Sequence, residues 1–81
     1  MTAMQKVYVE ALGRVVRREG EQTDAIQVMT ESWWRMGVDE SEGAVNIAAD
    51  MGLVSQETRD MVQATRRSQR EKKTRATAQG R

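Results

Sequence analysis

The 81-residue chain contains no proline, no cysteine, no histidine and no phenylalanine. Each absence excludes something. Without proline, nothing forces a break in a helix. Without cysteine there are no disulfides, no thiolate metal sites and no cysteine nucleophile. Without histidine the chain lacks the commonest metal ligand and the commonest general base near neutral pH. Enzyme chemistry would have to rest on carboxylates, lysine and hydroxyls, in a core too small to hold such a site rigid. Asp24, Glu31, Asp39, Glu40 and Glu42 are scattered acids, read as solvated surface and helix caps. The expectation is a protein that is not an enzyme, with no cofactor, no metal and no small-molecule substrate.

Long apolar runs are missing too. None approaches the ~20 residues of a membrane span. Residues 1–10 hold Lys6 without a following apolar block, unlike a secretory signal. The expected location is the cytoplasm, with no membrane partner. The apolar inventory is thin: nine valines, six methionines, two tryptophans, two leucines and two isoleucines. Valine and alanine bury little area each, and methionine specifies a core loosely. The length suits one domain. Chains below roughly 70–80 residues rarely bury enough to be comfortably stable alone. A homodimer, or stabilisation by a partner, is therefore expected, with a barely stable monomer as the alternative.

The formal net charge of +1 hides a split. Residues 1–65 carry six basic and eleven acidic side chains, a net of −5. Residues 66–81 carry Arg66, Arg67, Arg70, Lys72, Lys73, Arg75 and Arg81 against Glu71 alone, a net of +6. The organisation expected is a helical domain over 1–65 and a basic, partly disordered C-terminal extension over 66–81. Asymmetry of this kind marks an interaction tail, and a polyanion would be drawn to it. The acidic body would repel phosphates elsewhere.

The periodicity predicts an all-α bundle of about four short helices. In residues 2–18, Met4, Tyr8, Ala11, Leu12 and Val15 recur at helical spacing. Val7, Val9 and Val16 widen the apolar face, as ordinary core or as a dimer seam. Residues 6–10 also fit a short strand, which with two following helices would suggest a ribbon-helix-helix dimer. The helical spacing continues smoothly to Val16 and favours the helix. Gly20 is placed to end it, and Thr23 to cap the next. A second helix over 24–36 would bury Ile26, Met29, Trp33 and Met36, closed by Gly37. Asp39 and Glu42 have capping-box spacing before a third helix over 40–51. Its inner face would be Ala44, Ile47, Ala48 and Met51. Gly52 ends it, and Ser55 caps a fourth helix whose inner positions would be Thr58, Met61, Val62 and Thr65. Helix-favouring residues continue to about Lys73, with fraying beyond.

Trp33 and Trp34 point about 100° apart on a helix. Trp33 falls on the apolar stripe and Trp34 on the polar side. An exposed tryptophan is a candidate protein contact, with packing against Val38 or a neighbouring helix as the alternative. Trp34, with Tyr8, Val9 and Val16, forms the candidate protein interface.

Residues 44–63, AVNIAADMGLVSQETRDMVQ, resemble the helix-turn-helix of phage and bacterial repressors. Ala48 stands where that motif needs a small residue, and Gly52 where the backbone turns. Ile47, Met51 and Leu53 are apolar where it packs on its core. The resemblance implies a regulator of phage or mobile-element type, acting as a dimer on DNA. Its second helix would enter the major groove. Gln56 would then read adenine, Arg59 guanine or a phosphate, and Ser55 would cap the helix and touch a phosphate. Thr58 departs from the valine or isoleucine usual at its position. Glu57 and Asp60 add negative charge to the surface that should meet DNA.

The segment TRRSQREKK, from Thr65 to Lys73, resembles the arginine-rich helices with which some phage antitermination proteins bind RNA hairpins. That makes RNA a rival to DNA, with Arg66, Arg67, Arg70, Lys72, Lys73 and Arg75 on phosphates. The alternative function is a helical protein-binding module, an inhibitor or adaptor of a host protein, working through the acidic body and Trp34.

Overall fold

Thr2 starts the first helix. Its Oγ1 accepts the Gln5 backbone N–H at 3.2 Å, and the Thr2 N–H donates to Gln5 Oε1 at 2.8 Å. This reciprocal capping box satisfies two of the orphan donors of a helix start. The computed structural model describes residues 1–79, with side chains as far as residue 68. It contains α1 (Ala3–Arg17), α2 (Gln22–Arg35), α3 (Val38–Asp50) and α4 (Gln56–Gln79). There is no strand among the described residues, and residues 6–10 lie inside α1. The architecture is a small all-α bundle.

Helix α1 is the hub, packing on both α2 and α3, while α4 packs mainly on α3. Two neighbours require two buried faces, so the core of α1 is Val9, Ala11, Leu12 and Gly13. Val9 is only 4% exposed. It is core rather than interface, because α2 and α3 together enclose more of α1 than a single stripe would meet. Val16 stays half-exposed.

Small residues set the seams. Ala25, Ala44 and Ala48 are fully buried, as is Ser41, and Ser32 is almost so. The two serines satisfy their hydroxyls within their own helices, Ser32 on the Met29 carbonyl and Ser41 on the Val38 carbonyl, each at 2.9 Å. On α2 the inward line is Ala25, Ser32 and Met36, with Met29 and Trp33 half-buried. Ile26 lies one residue off this line and is 47% exposed, contrary to the stripe expected from hydrophobicity. A close approach of two helices selects small side chains, and the bulky neighbour is left outside. On α3 the inner face is likewise Ser41, Ala44, Val45, Ala48 and Ala49, and Met51 is exposed.

The helix ends differ from expectation in three places. Arg18, not Gly20, takes the left-handed conformation that ends α1 (φ 55°), with its N–H on the Val15 carbonyl and the Glu19 N–H on the Arg14 carbonyl. Gly20 adopts a second left-handed step (φ 70°) before α2. Glu21, not Thr23, is the N-cap of α2 and makes no side-chain cap. Gln22 instead ties the junction, its Nε2 donating to the Arg14 carbonyl at 3.4 Å. Gly37 is the N-cap of α3, so Asp39 lies within the first turn and not at the cap position that its spacing to Glu42 suggested. Short connections decide this, because each helix must begin as soon as the chain has turned.

Arg18 is an exposed residue in a backbone region that favours glycine. Arg18→Gly is expected to stabilise the fold by about 0.5–1 kcal/mol, since the left-handed penalty of ~1–2 kcal/mol outweighs the extra chain entropy. Thermal melting should rise by about 2–8 °C. A lower midpoint would mean that the Arg18 side chain stabilises the helix end by more than its backbone costs.

Candidate nucleic-acid interface

The α3–α4 pair is joined by residues 51–55. The Gly52 N–H bonds the Ala49 carbonyl at 3.0 Å and the Leu53 N–H bonds the Ala48 carbonyl at 2.9 Å. Both bonds close a Schellman turn, with Gly52 left-handed at φ 77°. Ser55 then caps α4: its Oγ accepts the Thr58 N–H at 3.0 Å and donates to Thr58 Oγ1 at 2.9 Å. Asn46 and Gln63 add a cross-helix hydrogen bond at 2.9 Å. The turn chemistry expected at Ala48, Gly52 and Ser55 is therefore present.

The register of α4 is not the expected one. Thr58, Met61 and Thr65 are exposed, while Arg59, Val62, Gln63 and Arg66 face the body. These four sit at i, i+3, i+4 and i+7, one helical face. Val62 lines a cleft together with Trp33, and Arg59 and Arg66 are half-buried, as long charged side chains can be when their apolar stems meet the fold. Periodicity reasoning missed this because it counts arginine as polar throughout.

The candidate contacts of α4 fall into different situations. Gln56 is exposed at the first turn. Arg59 directs Nε and one terminal nitrogen to Asp60 Oδ1 at 3.2 and 2.9 Å, with its side chain 29% exposed. Its fork is occupied by a neighbouring carboxylate rather than open to a guanine. Ser55 uses its hydroxyl on the cap. Arg67 is largely exposed, with Nε 3.7 Å from Glu42 Oε1. That is an ion pair beyond hydrogen-bond reach, of the kind that adds little. The side chains of Arg70, Lys72, Lys73 and Arg75 lie outside the described residues. The helix itself extends to Gln79 rather than to about Lys73. Alanine, glutamine, lysine and arginine all favour helix, and neither glycine nor proline intervenes.

Arg66 is the residue whose role the sequence least foretold. Its guanidinium lies over the Trp33 ring, 5.1 Å from the centroid. Trp33 meets Tyr8 on α1, with ring centroids 5.4 Å apart and planes at 40°. A layered Tyr8–Trp33–Arg66 contact thus joins α1, α2 and α4, a geometry in which ring and cation attract. Tyr8 is accordingly half-buried, with part of its surface against Trp33. Trp34, beside it on α2, is 70% exposed. Two shallow apolar clefts share Trp33 and Val62. One, of about 270 Å³, is lined by Tyr8, Met29 and Thr30 besides. The other, of about 190 Å³, adds Trp34, Met61, Thr65 and Arg66.

Burial pushes the Tyr8 phenol above its ordinary pKa. The folded state therefore disfavours the phenolate. The contribution to stability is complete below about pH 10, the ordinary value, and is lost as pH rises through the raised folded value. An ultraviolet titration should give a tyrosine midpoint above that of a free phenol. An ordinary midpoint would place the ring in solvent and break the layered contact.

Among the described residues, no helix is long and apolar enough to cross a membrane. No protein-family model, no curated protein and no solved structure matches this chain.

Proposed function

We propose that this is a small nucleic-acid-binding regulatory protein, of the kind found in phages and mobile elements, that holds phosphates along the C-terminal half of α4. The observation that carries the reading is the continuity of α4. One helix starts in the acidic body at Gln56 and continues to Gln79 through the segment where the charge turns from −5 to +6. A 24-residue helix is ~36 Å long, against ~20 Å for α3. Its C-terminal turns thus outrun the helix it packs on. The basic residues are then carried away from the acidic surface that would repel phosphate.

The turn geometry of α3 and α4 is compatible with helix-turn-helix docking. The pairing of Arg59 with Asp60 moves the weight of the reading from the first turn of α4 to its basic end. Dimerisation belongs to the same proposal, with Val16, Ile26 and Val28 offering exposed apolar surface. The test is binding of labelled duplex DNA and hairpin RNA across a salt series. Affinity should fall steeply and log-linearly with salt. Absence of binding to either probe at low salt sinks the reading.

A second reading, a protein-binding module, is favoured by the paired apolar clefts beside exposed Trp34. Under it, a protein partner and not a polyanion would be the ligand.

A further inference from the structure

Two residues that the sequence assigns to different tasks meet in one place. Trp34 lies on α2 and Arg66 on α4, and both line the 190 Å³ cleft. The rest of its wall is Trp33, Met61, Val62 and Thr65. Trp34 and Met61 present exposed apolar surface at 70% and 62%. Thr65 is occupied, its hydroxyl donating to the Met61 carbonyl at 2.9 Å. Arg66 is not: its Nε is buried without a hydrogen-bond partner. A buried, unpaired donor of a charged group costs stability unless something accepts from it. The cleft thus combines an open aromatic face, an apolar floor and a cationic guanidinium in its wall.

We propose that this cleft takes one unpaired nucleobase, stacked on the face of Trp34, with a base or phosphate oxygen accepting from Arg66. The proposal rests on the nucleic-acid reading above and narrows it to single-stranded or looped targets. Three features argue for this occupant. Aromatic platforms beside a basic track are how proteins hold unpaired strands, since every base offers a π-face. The basic end of α4 starts at the cleft, at Arg66 and Arg67, so a strand entering the cleft has its backbone led along a surface of matching charge. The volume lies below the roughly 300–1,000 Å³ of sites that enclose whole small molecules, which suits a single ring system. A duplex offers no free base face, and the acidic first turn of α4, with Glu57 and Asp60, opposes deep seating in a groove. Unpaired bases occur in single-stranded DNA and in RNA loops. The shared chemistry is the stacked base, and the probes separate the two sources.

The experiment uses the full chain and its Trp34→Ala variant, with three fluorescein-labelled probes at about 50 mM salt. They are a short oligothymidylate, an RNA hairpin with an unpaired loop and a blunt DNA duplex. Trp34 packs little of its surface against the fold, so the variant should melt like the parent, which circular dichroism checks. Both single-stranded probes should quench tryptophan emission in the parent, and this quenching should largely vanish in the variant. Affinity for at least one unpaired probe should fall roughly tenfold to a hundredfold. Affinity for the duplex should stay within about twofold, and the salt slope should be unchanged. Preference for the hairpin supports an RNA source, and preference for oligothymidylate a DNA source. Equal affinity of parent and variant for every probe overturns the cleft while leaving tail-based nucleic-acid binding standing. No binding of any probe by either protein overturns both. Quenching by an amphipathic apolar peptide, with none by the oligonucleotides, gives the cleft to a protein partner and overturns the proposal.

Discussion

Leu12→Ala is expected to lower the unfolding free energy by about 2–4 kcal/mol and the melting midpoint by about 10–20 °C. Leu12 is 9% exposed, and five of the nine buried apolar residues among those described are alanines. The others are Val9, Met36 and Val45. Alanine seams bring helices close but remove little area from water. The larger side chains therefore carry a disproportionate share of the hydrophobic stabilisation, at about 25 cal/mol per Å². Leu12 also sits on α1, the helix that packs on both α2 and α3, so a cavity there loosens two seams at once. A chain of this length is stable by roughly 4–12 kcal/mol at the usual per-residue range, so the loss is a large fraction of the whole. Ile26→Ala, on the half-exposed side of α2, is the natural comparison and should cost less than half as much. Denaturant melts of both variants decide the matter. A loss below about 1 kcal/mol for Leu12→Ala would mean that the bundle is not centred on α1.

The second large effect concerns the basic end of α4. Replacing Arg70, Lys72, Lys73 and Arg75 together with glutamine should weaken binding to duplex DNA or hairpin RNA on the order of 10²–10³-fold at low salt. The slope of log affinity against log salt should fall by up to about 3–4 for duplex DNA, near 0.9 for each phosphate that is no longer neutralised. The same number of neutralisations can be made on the body by replacing Lys6, Arg17, Arg18 and Arg35 together. All four are exposed and lie on the acidic body. Those changes should move affinity far less, because the neighbouring carboxylates already offset their field. Fluorescence anisotropy across a salt series reads both quantities. If the body and tail replacements weakened binding alike, the charge split would carry no function and the proposed phosphate track on α4 would be wrong.

Much of the fold was legible in the sequence. The absence of proline and the helical spacing of apolar residues led to four helices, and four form among the described residues. Gly52 and Ser55 were read correctly because turns and caps are local. A left-handed glycine and a hydroxyl cap need only their immediate neighbours. The errors share a different cause. Ile26, Met51 and Met61 were placed inside on hydrophobicity and lie outside, whereas Ser32, Ser41 and Gly13 were passed over and are buried. Which residues fill a seam depends on how closely two helices approach, and only the partner helix sets that distance. Arg18 was missed for a related reason. The turn into α2 dictates where α1 must stop, even at a residue that fits the left-handed region poorly.

The fourth helix shows the division most clearly. Its basic end, its helical propensity and its charge contrast with the body are properties of composition, and the sequence alone determined them. Its rotation about its own axis is not. Tertiary packing turned Arg66 onto Trp33 and brought Met61 and Val62 to the cleft that Trp33 and Trp34 line. Residues more than thirty positions apart were thereby joined into one cleft, at the point where the acidic body gives way to the basic helix. Such a meeting has no local signal, because it depends on Trp33 meeting both Tyr8 and Arg66, contacts made by three helices together.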